Sequence, residues 1–186
     1  MAASRAIDPL RLDVAAFAAA AGVLAGAWPA ERLPRLVAAT LPPPEGQPRA
    51  DIDWRVVGER RVLLGAGVGP SLQVEASTEV ALECQRCLQP MRLALEAERR
   101  IYFVEGEDAA AALDAENEDD VLALTPTLDL QALVEDELLL ALPLVPRHEV
   151  CPEPLARALV EDDPAREAAD HPFAALAALK QGSRPS

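Results

Sequence analysis

Leu72-Gln73-Val74-Glu75-Ala76-Ser77-Thr78-Glu79-Val80-Ala81-Leu82-Glu83-Cys84 alternates down its length. Leu72, Val74, Ala76, Thr78, Val80, Leu82 and Cys84 fall on one face, and Gln73, Glu75, Ser77, Glu79 and Glu83 fall mostly on the other. A period of two is the signature of a half-buried strand. Met91, Leu93, Leu95, Ala97, Ile101 and Phe103 repeat the pattern, with Arg99 as the one polar misfit. Two such runs in succession make a hairpin, and they place Cys84-Gln85-Arg86-Cys87-Leu88-Gln89-Pro90 at its tip. Upstream, Ile52, Trp54 and Val56 alternate with polar residues, Gly58-Glu59-Arg60-Arg61 reads as a turn, and Val62-Leu63-Leu64 returns. Gly65, Gly67, Gly69 and Pro70 mark the next break. The expected architecture is α+β: an antiparallel sheet over about residues 51–104, strongly curved or barrel-like, flanked by N- and C-terminal helices.

Outside the sheet the period changes. Asp8 and Pro9 suit a helix start, as a cap and a first-turn residue. A helical pattern then runs to about Gly22 or Gly26, and Leu33-Pro34-Arg35-Leu36-Val37 begins a short second element. Within the first run, Val14 to Ala27 is apolar and Ala-rich, but it is too short to span a membrane, and Asp8 and Asp13 interrupt the basic flank of a secretion signal. It reads as a buried helix of a cytoplasmic protein. Four prolines between Leu41 and Pro48 make a stiff connector. Residues 105–120 carry eight acidic side chains and no basic one, which predicts a mobile loop within a single domain spanning 1–186. Asp129 caps a helix over residues 130–140, stopped by Pro143. A last short helix is expected from Asp170-His171-Pro172-Phe173 to Lys180.

Half of the residues are hydrophobic but only 3% are aromatic, so Leu, Val and Ala must supply the core. The net charge of −14 is uneven. Residues 1–100 hold 12 Arg and 12 Asp+Glu, whereas residues 101–186 hold 5 Lys+Arg and 19 Asp+Glu. Such a half repels phosphate and favours a basic partner protein, or it serves only to keep the chain soluble. On the first reading Glu116, Glu118, Asp119, Asp120, Glu135 and Asp136 are the partner-binding candidates. For Glu135-Asp136-Glu137 the alternative is a solvated acidic face, since consecutive helical residues diverge by about 100° and make no catalytic pair. Arg55, Arg60, Arg61, Arg86, Arg92 and Arg100 would be the RNA-contacting residues of a direct binder. Glu59, Glu75, Glu79, Glu96 and Glu98 are interleaved with them, however, which points to cross-strand ion pairing. Trp28 and Trp54 read as core.

Two pairs with the same spacing carry possible chemistry: Cys84-x-x-Cys87 and His148-x-x-Cys151. Thiolate and imidazole are the ligands Zn²⁺ prefers, and a Cys₃His set closes a tetrahedron with no open position, so such a site is structural. The competing reading makes Cys84 the last inward residue of its strand and His148 a surface residue. Redox use of the Cys-x-x-Cys is disfavoured, because the motif joins two strands instead of opening a helix. No phosphate loop, Ser/His/Asp set or HExxH is present, and no enzymatic activity is expected.

Four segments resemble the YceD family. They are Ile7-Asp8-Pro9-Leu10-Arg11-Leu12, the Cys84–Pro90 hairpin tip, Leu128-Asp129-Leu130 through Leu142-Pro143-Leu144-Val145-Pro146-Arg147-His148, and His171-Pro172-Phe173-Ala174-Ala175-Leu176. They occur in the family's order and span nearly the whole chain. The resemblance implies a non-catalytic role in synthesis, processing or stability of 23S ribosomal RNA. Some branches have further cysteines beside the second pair and look metal-binding. In this chain only Cys151 stands there, with His148 as a substitute, and His171 replaces the family's usual Asn before Pro-Phe.

Overall fold

The computed structural model describes residues 7–152. The chain divides into Met1–Arg147 and His148–Ser186, and the sheet and the helices packed on it belong to the first unit. The helix expected over 170–180 lies outside the described residues.

The architecture is α+β, built on one five-stranded sheet in the order β1-β2-β3-β4-β5. The strands are β1 (Val23–Trp28), β2 (Ile52–Leu63), β3 (Gly67–Glu83), β4 (Pro90–Val104) and β5 (Asp120–Ala123). The first four are antiparallel, and β5 runs parallel to β4. The sheet is open and does not close into a barrel. Its centre is the hairpin expected from the alternation: Leu72 faces Ile101, Val74 faces Arg99, Ala76 faces Ala97 and Leu82 faces Met91.

The inner face carries Ile52, Trp54, Val56, Leu72, Val74, Leu95, Ile101 and Phe103, all buried. Against it pack α1 (Val14–Ala19), α2 (Pro34–Ala39) and α4 (Leu130–Ala141), through Val14, Phe17, Leu36, Leu130, Leu133, Val134 and Leu138. Trp28 and Trp54 are buried and stacked, with ring centroids 4.4 Å apart. Asp129 caps α4 by accepting from the Ala132 N–H at 3.1 Å, and the helix ends just before Pro143, as expected. Among the described residues no helix is long and apolar enough to cross a membrane.

Three local expectations are corrected. First, the apolar run from Val14 to Ala27 is not one helix. Asp8 and Pro9 open only a 3-10 turn at Pro9–Arg11, Asp13 caps the six-residue α1, and the run then becomes β1. The switch occurs at Gly22, where the Phe17 ring occupies the space of a missing side chain: a Cβ there would lie 2.2 Å from the ring. Second, Gly58-Glu59-Arg60-Arg61 is not a turn but part of β2, and the chain reverses only after Leu63. Gly58 is there because the other side of the Phe17 ring rests on it, where a Cβ would come within 2.5 Å. A glycine inside a strand marks such a close approach as readily as a bend.

Third, the stretch expected to be a mobile acidic loop is built as α3 (Glu107–Asp114) followed by β5. Four successive alanines favour the helix, and Glu107 and Asp108 in its first turn complement the helix dipole. Ala110 and Leu113 pack on Tyr102 and Val121 in a second, smaller cluster, which lies on the outer face of the sheet. Asp114 fixes the following strand by accepting from the Val121 N–H at 2.9 Å.

Candidate functional site

The hairpin tip is shaped by its own backbone. The Leu88 N–H donates to the Cys84 carbonyl at 2.8 Å, and the Cys84 N–H donates to the Gln89 carbonyl at 3.0 Å. This tight loop buries Cys84 and Cys87. It also forces Leu88 to φ 59°, the left-handed region that normally calls for glycine. Leu88 therefore stands where a metal-binding knuckle would carry its glycine, and the absence of that glycine from the sequence did not prevent the turn. Its side chain is exposed.

The chain leaving α4 meets this tip, where the Gln85 N–H donates to the Pro146 carbonyl at 2.8 Å. His148 lies two residues beyond that bond. The ligand atoms of Cys84, Cys87, His148 and Cys151 lie within 4.8 Å of one another. Around a tetrahedral Zn²⁺ with bonds of 2.0–2.3 Å, such atoms stand roughly 3.3–3.8 Å apart, so this donor set fits a closed structural site after small adjustments.

The acidic candidates separate into two kinds. Glu135 and Glu137 are only 5% and 7% exposed, so the solvated-face reading of this helix fails for both. Glu135 Oε1 accepts from the backbone N–H groups of Arg35 at 2.7 Å and Leu36 at 3.2 Å, and its Oε2 pairs with Arg35 Nε at 2.9 Å. The carboxylate thus caps α2, which has no side-chain cap of its own at Leu33. Asp136 binds the same guanidinium. Donating hydrogen bonds to Asp136 and then to Glu135 raises the pKa of Arg35. Glu137 meets Arg99 at 3.2 Å, with Asp120 at 3.6 Å from the same guanidinium. Burial raises the Glu137 carboxyl above its ordinary range, and the hydrogen bond and charge of Arg99 oppose that rise. Arg99, the one misfit of its strand, and Glu137, buried on α4 beside Leu130, Leu133, Val134 and Leu138, are therefore partners.

Glu135 is thereby removed as a partner-binding residue, and Asp136 is engaged within the chain. By contrast, Glu107, Asp108, Glu116, Glu118 and Asp119 are exposed on α3 and the segment after it. Asp120 is half-buried beside Arg99.

The arginines expected as an RNA-contacting strip do not form a carboxylate-free face. Arg55 pairs with Glu75 at 3.5 Å, Arg92 with Glu79 at 2.8 Å and Arg61 with Glu59. Arg60 donates to the Val68 carbonyl at 3.3 Å. Arg100 faces Gln73 across the ladder, and Arg86 is exposed at the hairpin tip.

Residues 72–180, from the central hairpin onward, match the family model described as Large ribosomal RNA subunit accumulation protein YceD. A protein of that same name from Haemophilus influenzae is 36% identical over 135 residues, covering 68% of this chain and 76% of its own length. No solved structure matches. With more than half of its residues under the family model, and the hairpin tip and α4 segments among them, the chain belongs to the YceD family.

Proposed function

We propose that this chain is a non-catalytic, cytoplasmic accessory factor in accumulation of large-subunit ribosomal RNA, acting in synthesis, processing or stability of the 23S species. It works as an adaptor for a basic ribosomal or rRNA-processing protein. Family membership supports the process. One structural observation carries the adaptor reading: α3 turns Ala110 inward and leaves the carboxylates around it in water. A carboxylate array held on a helix and facing solvent attracts cations over about 8 Å at physiological ionic strength, raising association rates with cationic partners and repelling phosphate.

The test is a pull-down from lysate with and without nuclease, followed by mass spectrometry. Capture of basic proteins that survives nuclease and weakens with salt is expected. Capture that vanishes with nuclease would move the function to direct RNA binding through Arg55, Arg60, Arg61, Arg86, Arg92 and Arg100.

Within the same proposal, Cys84, Cys87, His148 and Cys151 hold a structural Zn²⁺ that ties the hairpin tip to the chain following α4. Bound zinc would supply cross-linking and no chemistry, since all four positions are protein ligands. Elemental analysis of folded protein should find close to one equivalent, and Cys87→Ser should lose it. Folded protein with less than about a tenth of an equivalent would exclude the site.

A further inference from the structure

The two edges of the sheet are finished differently. β5 is four residues long, begins with Asp120 and packs against α3. Shortness, charge and cover are the usual protections of an edge. Among the described residues β1 has none of them. Val23-Leu24-Ala25-Gly26-Ala27-Trp28 carries no charge and no proline, and its one strand partner among the described residues is β2. The Gly22 carbonyl accepts from the Gly58 N–H, and the antiparallel ladder alternates from there. Leu24, Gly26 and Trp28 therefore bond to β2, while the N–H and C=O groups of Val23, Ala25 and Ala27 point off the sheet. Val23, Ala25 and Ala27 are exposed.

What flanks this edge says what covers it. On the outer face the rows running inward from β1 are Ala27-Asp53-Ser77-Glu96 and Ala25-Arg55-Glu75-Glu98. All of these but Ala27 line an open trough in the sheet, beginning at Ala25 and Gly26. Arg55 is occupied by Glu75, and among the described residues Asp53, Glu96 and Glu98 have no cationic partner. On the inner face, the Trp54 indole packs against Gly26: Cζ2 lies 3.2 Å, and Nε1 3.5 Å, from where a Cβ would stand. That Nε1 is buried and has no hydrogen-bond acceptor among the described residues.

We infer that β1 is a docking edge for an extended, cationic protein segment, which adds to the sheet as a sixth strand. Main-chain bonds form to Val23, Ala25 and Ala27. The added strand lies about 5 Å from β1 and about 10 Å from β2. Its outward Lys or Arg side chains reach over the methyl groups of Ala25 and Ala27 to Asp53 and the acidic trough. Its alternate side chains lie beside Gly26, next to the Trp54 indole packed there. The inference rests on the adaptor reading and names how the cationic partner is held.

The probe is a fluorescein-labelled decapeptide of alternating Arg and Thr, with alternating Glu and Thr as control, titrated against the full chain. The Arg peptide should bind, the Glu peptide should not, and tryptophan emission should change on binding. Ala25→Pro removes an outward N–H at an edge position that tolerates proline. Ala27→Lys places a repelling charge on an exposed site. Each should weaken binding at least about tenfold, with the thermal unfolding midpoint of Ala27→Lys unchanged. Asp53→Asn combined with Glu96→Gln should weaken binding and flatten its salt dependence. Wild-type affinity in both edge variants, equal binding of the Glu peptide, no binding of the Arg peptide, or displacement of the peptide by oligouridylate would each overturn the inference. If the lysate pull-down recovers basic proteins equally well with Ala27→Lys, the edge is excluded while the adaptor reading stands. If the peptide binds as expected but no basic protein is recovered, the edge stands and the adaptor reading falls.

Discussion

Two acidic stretches of similar composition do opposite work in this protein. Glu135-Asp136-Glu137 lies on α4 against the sheet, and its two glutamates are buried, paired and hydrogen-bonded. The stretch from Glu105 to Asp119 lies on and around α3 with most of its carboxylates in water. A buried carboxylate must find donors or it destabilises the fold, so the first stretch joins α2, α4 and β4 into one piece. An exposed carboxylate costs nothing to leave unpaired and remains available to a partner. Charge counted along the sequence therefore overstates the interaction surface: it includes carboxylates already consumed by Arg35 and Arg99.

The contrast is tested most strongly at Glu135. Glu135→Ala leaves the buried Leu36 N–H and its neighbour without an acceptor, and should cost about 2–4 kcal/mol in urea unfolding. A loss under about 0.5 kcal/mol would mean that the carboxylate is not holding α2.

Arg99→Met should cost less, about 1 kcal/mol at neutral pH, because the guanidinium is half exposed and solvent screens the pair. Here pH sharpens the comparison. In the folded protein Glu137 holds its proton more tightly than in the unfolded chain. Its contribution is thus fully present below the ordinary value of 4.5 and is lost as pH rises through the raised folded value. Without Arg99 the folded value rises further. The gap in urea midpoint between variant and wild type should therefore narrow on acidification, as Glu137 becomes neutral and needs no cation. A gap independent of pH would show that Arg99 acts only by packing.

Glu116→Gln, Glu118→Gln and Asp119→Asn together should change stability by no more than about 0.5 kcal/mol while slowing capture of a basic partner, measured by surface binding kinetics at two salt concentrations. Unchanged capture would remove the exposed stretch from the adaptor surface. A large stability loss would erase the distinction between the two regions.

The central hairpin is legible because burial on one face of a strand imposes a period of two that residues 72–103 obey almost without exception. The caps at Asp8 and Asp129 are within reach of local rules. Asp13 caps α1 by the same chemistry, but the apolar run that follows it reads as part of one longer helix and hides the start. The Cys-x-x-Cys at the hairpin tip follows from the register of its two flanking strands.

What the sequence by itself determined is what depends on neighbours a few residues away: alternation, the hairpin, the cap and stop of α4, and the four possible metal ligands. Tertiary structure alone decided the fate of Glu135, Glu137 and Arg99, whose partners lie 100, 38 and 38 residues distant. It also decided that Gly58 admits a phenylalanine ring instead of turning the chain, and that β1 becomes an edge instead of a helix. The physical reason is the same in each case. A polar misfit, a glycine or an apolar run has two acceptable local fates, and which one it takes is set by the group that packs against it.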